Sequence, residues 1–164
     1  LTWMNGQYIR KLSEAEFLDY AKPYIEGSLK RKVDIQALCR VLQPRLETFG
    51  DIPNQIDFLD EVPNYDNELY VNKKMKTDEA VAKTALELSL KRLGGVSEWN
   101  NDNLFTELKA LAEESGMKNG QIMYPVRIAL SGKAATPGGA TEIAVLIGKD
   151  ETLQRIKTAI EKLS

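Results

Sequence analysis

Apolar residues along this chain recur three or four positions apart, the spacing of one helix face, and nowhere alternate as a half-buried strand requires. Residues 1–12 read as a lead-in, with Trp3, Tyr8 and Ile9 available for anchoring. Ser13 and Glu16 predict a capping box, followed by Phe17 and Tyr20 on one face and by Pro23, which is expected to end or bend the helix. A second helix is predicted from about Asp34 to Gln43, with Leu38, Val41 and Leu42 inward. Pro44 suits the first turn of a new helix, which would set Arg45 at a helix N-terminus beside unsatisfied amides. A short helix with Leu46 and Phe49, and another opened by Asp51-Ile52-Pro53 through Ile56 and Leu59, complete the first half.

Residues 62–76, with Pro63 and several asparagines, show no sustained period and predict a linker. Beyond it Thr77 is expected to cap a long helix with Leu86, Leu90 and Leu93 as its stripe and Gly94-Gly95 after its end. Asn100 or Asp102 starts the next, with Leu104, Leu108, Leu111 and Ala112 inward and Gly116 closing it. Three more follow: one carrying Arg127, a short apolar one from about Thr141 to Ile147, and a last one from Asp150 striped by Leu153, Ile156, Ile160 and Leu163. The expectation is an all-α protein of two helical subdomains, residues 1–70 and 71–164, with no internal repeat.

Composition changes this picture mainly by exclusion. A chain of 164 residues can bury roughly 70% of its unfolded surface without staples. Its single cysteine, Cys39, forms no internal disulfide and lies in an apolar run that reads as core. With no histidine, the commonest general base, the usual catalytic triads and cysteine/histidine metal sites are absent. No glycine-rich phosphate loop and no apolar run of membrane-spanning length occurs. The chain begins at Leu1, which reads as the interior of something longer. Net charge is −2 but unevenly spread. Residues 28–45 carry five bases against Asp34, a balance of +4; residues 46–72 carry seven acids and no base; residues 117–164 carry seven bases and four acids, a balance of +3. Two basic regions flanking an acidic one fit a local electrostatic footprint for an anionic partner.

The stretch YPVRIALSGKAATPGG, residues 124–139, concentrates the candidate chemistry. Arg127 on a helix supplies a planar fork of donors, next to a Pro/Gly-bounded loop with Lys133 and exposed backbone amides. Such a surface suits phosphates and unstacked bases.

A series of motifs then occurs in order at compatible spacings. Trp3-Met4-Asn5 with Tyr8-Ile9-Arg10, Leu12-Ser13 and Lys22-Pro23-Tyr24 resembles the segment of glutamyl-tRNA synthetases that follows their catalytic and stem-contact domains. Gln43-Pro44-Arg45-Leu46 is similar to that family's Arg-Pro-Arg-Phe-type turn. Trp99, Gly120, Pro125-Val126-Arg127, Ala129-Leu130-Ser131-Gly132, Thr136-Pro137-Gly138 and Leu146-Ile147-Gly148-Lys149 resemble its C-terminal signature. The resemblance spans essentially the whole chain.

What the resemblance implies is an anticodon-binding region, an α-helical cage of two subdomains, from a bacterial-type glutamate–tRNA ligase, a class I aminoacyl-tRNA synthetase. The full enzyme would be a cytoplasmic monomer that uses ATP, through an N-terminal catalytic domain of the same chain, to attach glutamate to tRNA(Glu). This fragment would need no cofactor, bind the tRNA anticodon loop and catalyse nothing. By the same resemblance Arg45 reads the last anticodon base, Arg127, Thr136, Pro137 and Gly138 surround the other two, and Trp3 lies on the tRNA-facing side. Tyr124 stands where relatives often have glutamine or tryptophan, substituting stacking for a hydrogen bond, and the loop is one residue longer than in some relatives. Two other classes compete: a helical protein–protein adaptor, in which Arg127 and residues 136–139 are ordinary surface, and a small independent enzyme, against which the missing histidine argues.

Overall fold

The structure, a computed structural model, describes residues 5–164, so the expectation for Trp3 lies outside the described residues. Among them the chain is all-α: α1 (Gly6–Lys11), α2 (Glu14–Glu26), α3 (Ile35–Leu42), α4 (Ile52–Ile56), α5 (Glu79–Gly94), α6 (Asn101–Glu114), α7 (Asn119–Ser131), α8 (Ala140–Ile147) and α9 (Lys149–Leu163). The chain divides into two compact units: one runs as far as Glu61 and includes Thr136–Gly138, the other is Val62–Ala135 with Gly139–Ser164. The division falls after Glu61 rather than after residue 70.

In the first unit α2 starts as its capping box predicts: Ser13 Oγ accepts from the Glu16 amide (3.1 Å) and Glu16 Oε1 from the Ser13 amide (2.9 Å). Pro23 does not end the helix. It sits on the exposed side of the last turn, where its missing N–H leaves the Asp19 carbonyl without an in-helix donor, while Ala21 and Ile25 keep that turn packed. Phe17 is fully buried, and the rings of Phe17, Tyr20 and Tyr24 gather around Phe49 at 5.5–6.1 Å. Asp34 caps α3 through the Ala37 amide; Cys39, rather than Val41, joins Leu38 and Leu42 inside. In the lead-in Ile9 is buried, but Tyr8 is 66% exposed. Leu38, Leu42, Leu46, Ile52, Ile56, Phe58 and Leu59 complete a core in which each side chain contributes about 1.5–3 kcal/mol. Phe17→Ala would remove its largest aromatic contact at about 3–5 kcal/mol.

The expected linker is instead part of the second unit. Asn67–Tyr70 forms a 3-10 turn, Tyr70 is fully buried with its hydroxyl 2.7 Å from that of Tyr65, and Asn72 pairs with Thr77 across a tight turn. Thr77 does not cap α5. Its buried hydroxyl donates to the Tyr70 carbonyl (2.7 Å), and the next residue, Asp78, takes the cap by accepting from the Val81 amide. Asn100 caps α6 as expected, with Leu104, Leu108, Leu111 and Ala112 buried and Gly116 just past its end. Helices α5, α6, α7 and α9 pack on one another, and this packing rotates two faces away from expectation. On α5 the buried set is Ala82, Ala85, Leu86, Ser89 and Leu93, with Leu90 half-buried; on α9 it is Thr152, Arg155, Ile156 and Ala159, with Leu153, Ile160 and Leu163 half-buried.

Candidate functional site

In the second unit, α7 is built to carry a fixed loop at its C-terminus. Its start is tied down by Gln121, whose Oε1 accepts from the Lys118 amide (2.8 Å) and whose Nε2 donates to the Lys76 carbonyl (3.0 Å). Its end turns at Gly132, at φ +64°, where the Gly132 amide donates to the Ile128 carbonyl. A Cβ there would come within 3.0 Å of Tyr65 and Val62 side-chain atoms, so conformation and close approach both require glycine. Ser131, fully buried, donates to the Arg127 carbonyl (2.7 Å) and accepts from the Lys133 amide (3.2 Å).

Arg127 then reaches forward over this turn. Its Nη2 donates to the Ala134 carbonyl (2.8 Å) and its Nη1 to that of Lys133 (3.3 Å), with the guanidinium 5.5 Å above the Tyr124 ring. Tyr124 is itself held by a hydrogen bond from its hydroxyl to the Leu69 carbonyl (2.7 Å). Tyr124, Arg127 and Lys133 are therefore brought together, with the arginine bracing the loop from within. A second arginine, Arg155, supports the same helix end from α9: its Nη1 donates to the Leu130 carbonyl (2.7 Å) and its Nε to Glu151 Oε2 (2.8 Å). Among the last carbonyls of α7, which have no helical partner, that of Leu130 is thereby satisfied. Sequence reasoning missed Arg155. The i,i+4 spacing to Glu151 was visible, but its burial was not.

In the first unit Arg45 is not at a helix N-terminus. Residues Gln43–Arg45 extend α3 as a 3-10 turn, Arg45 is its last residue, and Leu46 leaves in extended conformation to a fully buried position. Pro44 fits because it stands in the first positions of that 3-10 turn, where an amide has no partner within the turn. Gln43 fixes the turn, its Nε2 donating to the carbonyls of Ile9 and Leu12 (both 2.9 Å) at the end of α1. Arg45 is exposed, and its Nη1 donates to the Thr136 carbonyl (3.1 Å), 91 residues away in sequence. The Thr136 hydroxyl donates to the Gly138 carbonyl (2.6 Å); Thr136 is half-buried, whereas Pro137 and Gly138 are buried. Arg45 and Thr136–Gly138 thus come together, while Ala134, Ala135 and Gly139 are the exposed positions of the loop.

A guanidinium has five N–H donors, so one bond to Thr136 leaves Arg45 with a fork able to meet a planar acceptor pair such as a base edge. The described residues hold no group of three or more Cys, Asp or Glu side chains that could bind a metal ion. Away from the loop, burial, reinforced by the charge of Glu14, pushes the Cys39 thiol up to about 11, as befits a core cysteine and not a nucleophile. Among the described residues no helix is long and apolar enough to cross a membrane.

The chain resembles known proteins over nearly all of its length. The glutamate–tRNA ligase of Clostridium acetobutylicum is 45% identical over 99% of this chain and 34% of its own length, and that of Lachnoclostridium phytofermentans is 42% identical over the whole chain and 34% of its own. The crystal structure of a glutamate tRNA ligase from Elizabethkingia meningosepticum, in complex with its amino acid, superposes with a TM-score of 0.79 at 26% identity, over 98% of this chain and 31% of that one. The chain spans about a third of the length of the curated relatives it matches. The family described as the anticodon binding domain matches residues 16–160, nearly all of the two helical units, and the chain belongs to that family.

Proposed function

We propose that this chain recognises the anticodon loop of tRNA(Glu) as the C-terminal part of a glutamate–tRNA ligase. The observation that carries this reading is the similarity to such ligases over essentially the whole chain, 45% identity in one case. It favours RNA recognition over the adaptor reading. In the parent enzyme an N-terminal catalytic domain would use ATP to activate glutamate, in the cytoplasm and as a monomer. The chain of 164 residues would need no cofactor and would not aminoacylate tRNA by itself.

The two arginines divide the work. Arg127, bonded to two loop carbonyls and set over Tyr124, holds the loop in shape. Arg45, exposed and steadied through Nη1, presents its remaining donors to the last anticodon base. The test is titration of wild type and Arg45→Gln against anticodon stem-loops differing only at that base, at several salt concentrations. Wild type should bind with strong salt dependence. The variant should lose about 1–3 kcal/mol of preference for cytosine there, a magnitude taken from DNA base readout. Equal weakening for every base would make Arg45 a backbone contact, and binding indifferent to salt would overturn RNA recognition itself.

A further inference from the structure

We propose that the open cleft between α1 and the end of α3, flanked by Arg10 and Arg40, is a second RNA contact that holds a backbone phosphate of the strand whose base meets Arg45. This rests on the anticodon-binding reading and extends it to Arg10 and Arg40, to which the resemblance assigns no role. The cleft, about 420 Å³, is lined by Arg10, Glu14, Arg40, Gln43 and Pro44, a size within the roughly 300–1,000 Å³ of ordinary ligand sites. Its floor is the 3-10 turn that ends in Arg45, so a ligand seated there lies one residue from the proposed base reader.

The walls are rigid for a definite reason. Gln43 clamps the last carbonyls of α1, and Arg10 Nη1 lies 3.4 Å from the Leu46 carbonyl it donates to. Each arginine is aimed by a carboxylate: Arg40 Nε is 2.9 Å from Glu14 Oε1, and Arg10 Nη1 is 3.5 Å from Glu47 Oε1. A Cβ at Gly6 would stand 2.6 Å from Glu47 Oε2 and 2.8 Å from Arg10 Nη1, so this second pair lies close against the backbone of α1. All four side chains are more than a third exposed. Such exposed pairs are weak in water, so a phosphate carrying a full charge and able to accept two parallel N–H bonds can displace a carboxylate at little cost. The carboxylates thereby keep two guanidinium groups extended and facing the cleft without occupying them permanently. Half or more of the hydrogen bonds in protein–DNA complexes go to phosphate and sugar, and by analogy such contacts set the register in which an RNA base is offered to its reader.

The experiment measures binding of a glutamate-type anticodon stem-loop by wild type, Arg10→Gln, Arg40→Gln, Glu14→Gln and a charge-matched control, Glu161→Gln, in the second unit. Each arginine variant should weaken binding about 3–10-fold for every anticodon sequence alike and flatten the dependence of log affinity on log salt by about 0.7. Glu14→Gln, which releases Arg40, should bind about 2–5-fold more tightly than Glu161→Gln, a gain that an Arg40–Glu14 strut serving stability alone would not produce. Arginine variants with wild-type affinity and slope, or Glu14→Gln no tighter than its control, overturn the cleft while leaving anticodon recognition standing. Absence of salt-dependent binding by wild type overturns both.

Discussion

In the second unit long helices bury their faces against one another, whereas the first unit joins short helices and 3-10 turns through side chains that reach into backbone groups. Every helix end leaves unsatisfied amides or carbonyls, and many short elements make many ends. The first unit meets them with Gln43 on the α1 carbonyls, Asp60 on the Lys30 and Arg31 amides, and Arg31 on the Leu59 carbonyl. The second unit starts its helices with local caps at Asp78 and Asn100, and there side-chain ties such as Gln121 to Lys76, Tyr124 to Leu69 and the buried Arg155 to Leu130 supplement broad helix packing. The same residue type therefore plays opposite parts. Arg45 and Arg40 stand out from a patchwork of short elements, while Arg155 is 5% exposed inside a helix pack. A surface arginine can serve a partner, but a buried one serves the fold.

This contrast can be broken at four places. The largest effect is expected at Arg155→Met, which removes the guanidinium bonds to the Leu130 carbonyl and to the Glu151 carboxylate. Loss of a buried, hydrogen-bonded charge costs about 3 kcal/mol here, at the low end because Glu151 is partly exposed. Urea unfolding should show it as a lowered midpoint, and an unchanged midpoint would mean that α9 holds α7 by apolar packing alone. Next is Arg127→Ala, expected to cost about 1–2 kcal/mol through its two carbonyl bonds. It should also weaken stem-loop binding for all sequences together, since the loop itself is loosened; a change at one base only would return Arg127 to the role of base reader.

Gln43→Ala should cost about 1–1.5 kcal/mol by stripping donors from two carbonyls, with faster amide exchange in α1 and α3 and little change in α5 or α7. Uniform exchange across both units would deny the first unit its separate polar framework. The smallest effect is a pH dependence at Asp60. Desolvation pushes its carboxyl up, but the amides and charges of Lys30 and Arg31 outweigh this and hold it below the usual aspartate range. Its contribution is complete above the unfolded-state value and is lost as pH falls through the lower folded one. Wild type should therefore lose more stability than Asp60→Asn on acidification below about pH 4, the ordinary aspartate range. Parallel stability curves for the two proteins would remove Asp60 as a clamp.

The all-α class and most helix ends were readable from the chain because their causes lie within a few residues. Ser13 with Glu16, Asp34, Asn100, Gly116 and Gly132 act on amides or turns immediately beside them. Where two adjacent residues could both serve, as Thr77 and Asp78 at α5, local chemistry did not choose. The Tyr70 carbonyl took the threonine hydroxyl and left the cap to the aspartate. Residues 62–76 looked like a linker because no periodicity runs through them, yet Tyr70 is buried by contacts that periodicity cannot register.

The site divides the same way. Local spacing marked Arg127 and the Gly132 turn, because helix, arginine and loop are contiguous. The motifs also marked Arg45 and the family resemblance, but not where Arg45 would sit, since its partner at Thr136 is 91 residues away and Pro44 is compatible with either a new helix or the end of an old one. Burial of Arg155 and the rotated faces of α5 and α9 were beyond any sequence pattern for one reason. A helix stripe says which residues would prefer to be inside, but which of them are covered is set by the surfaces of neighbouring helices, and a neighbour's lone carbonyl can draw in an arginine where a leucine was expected.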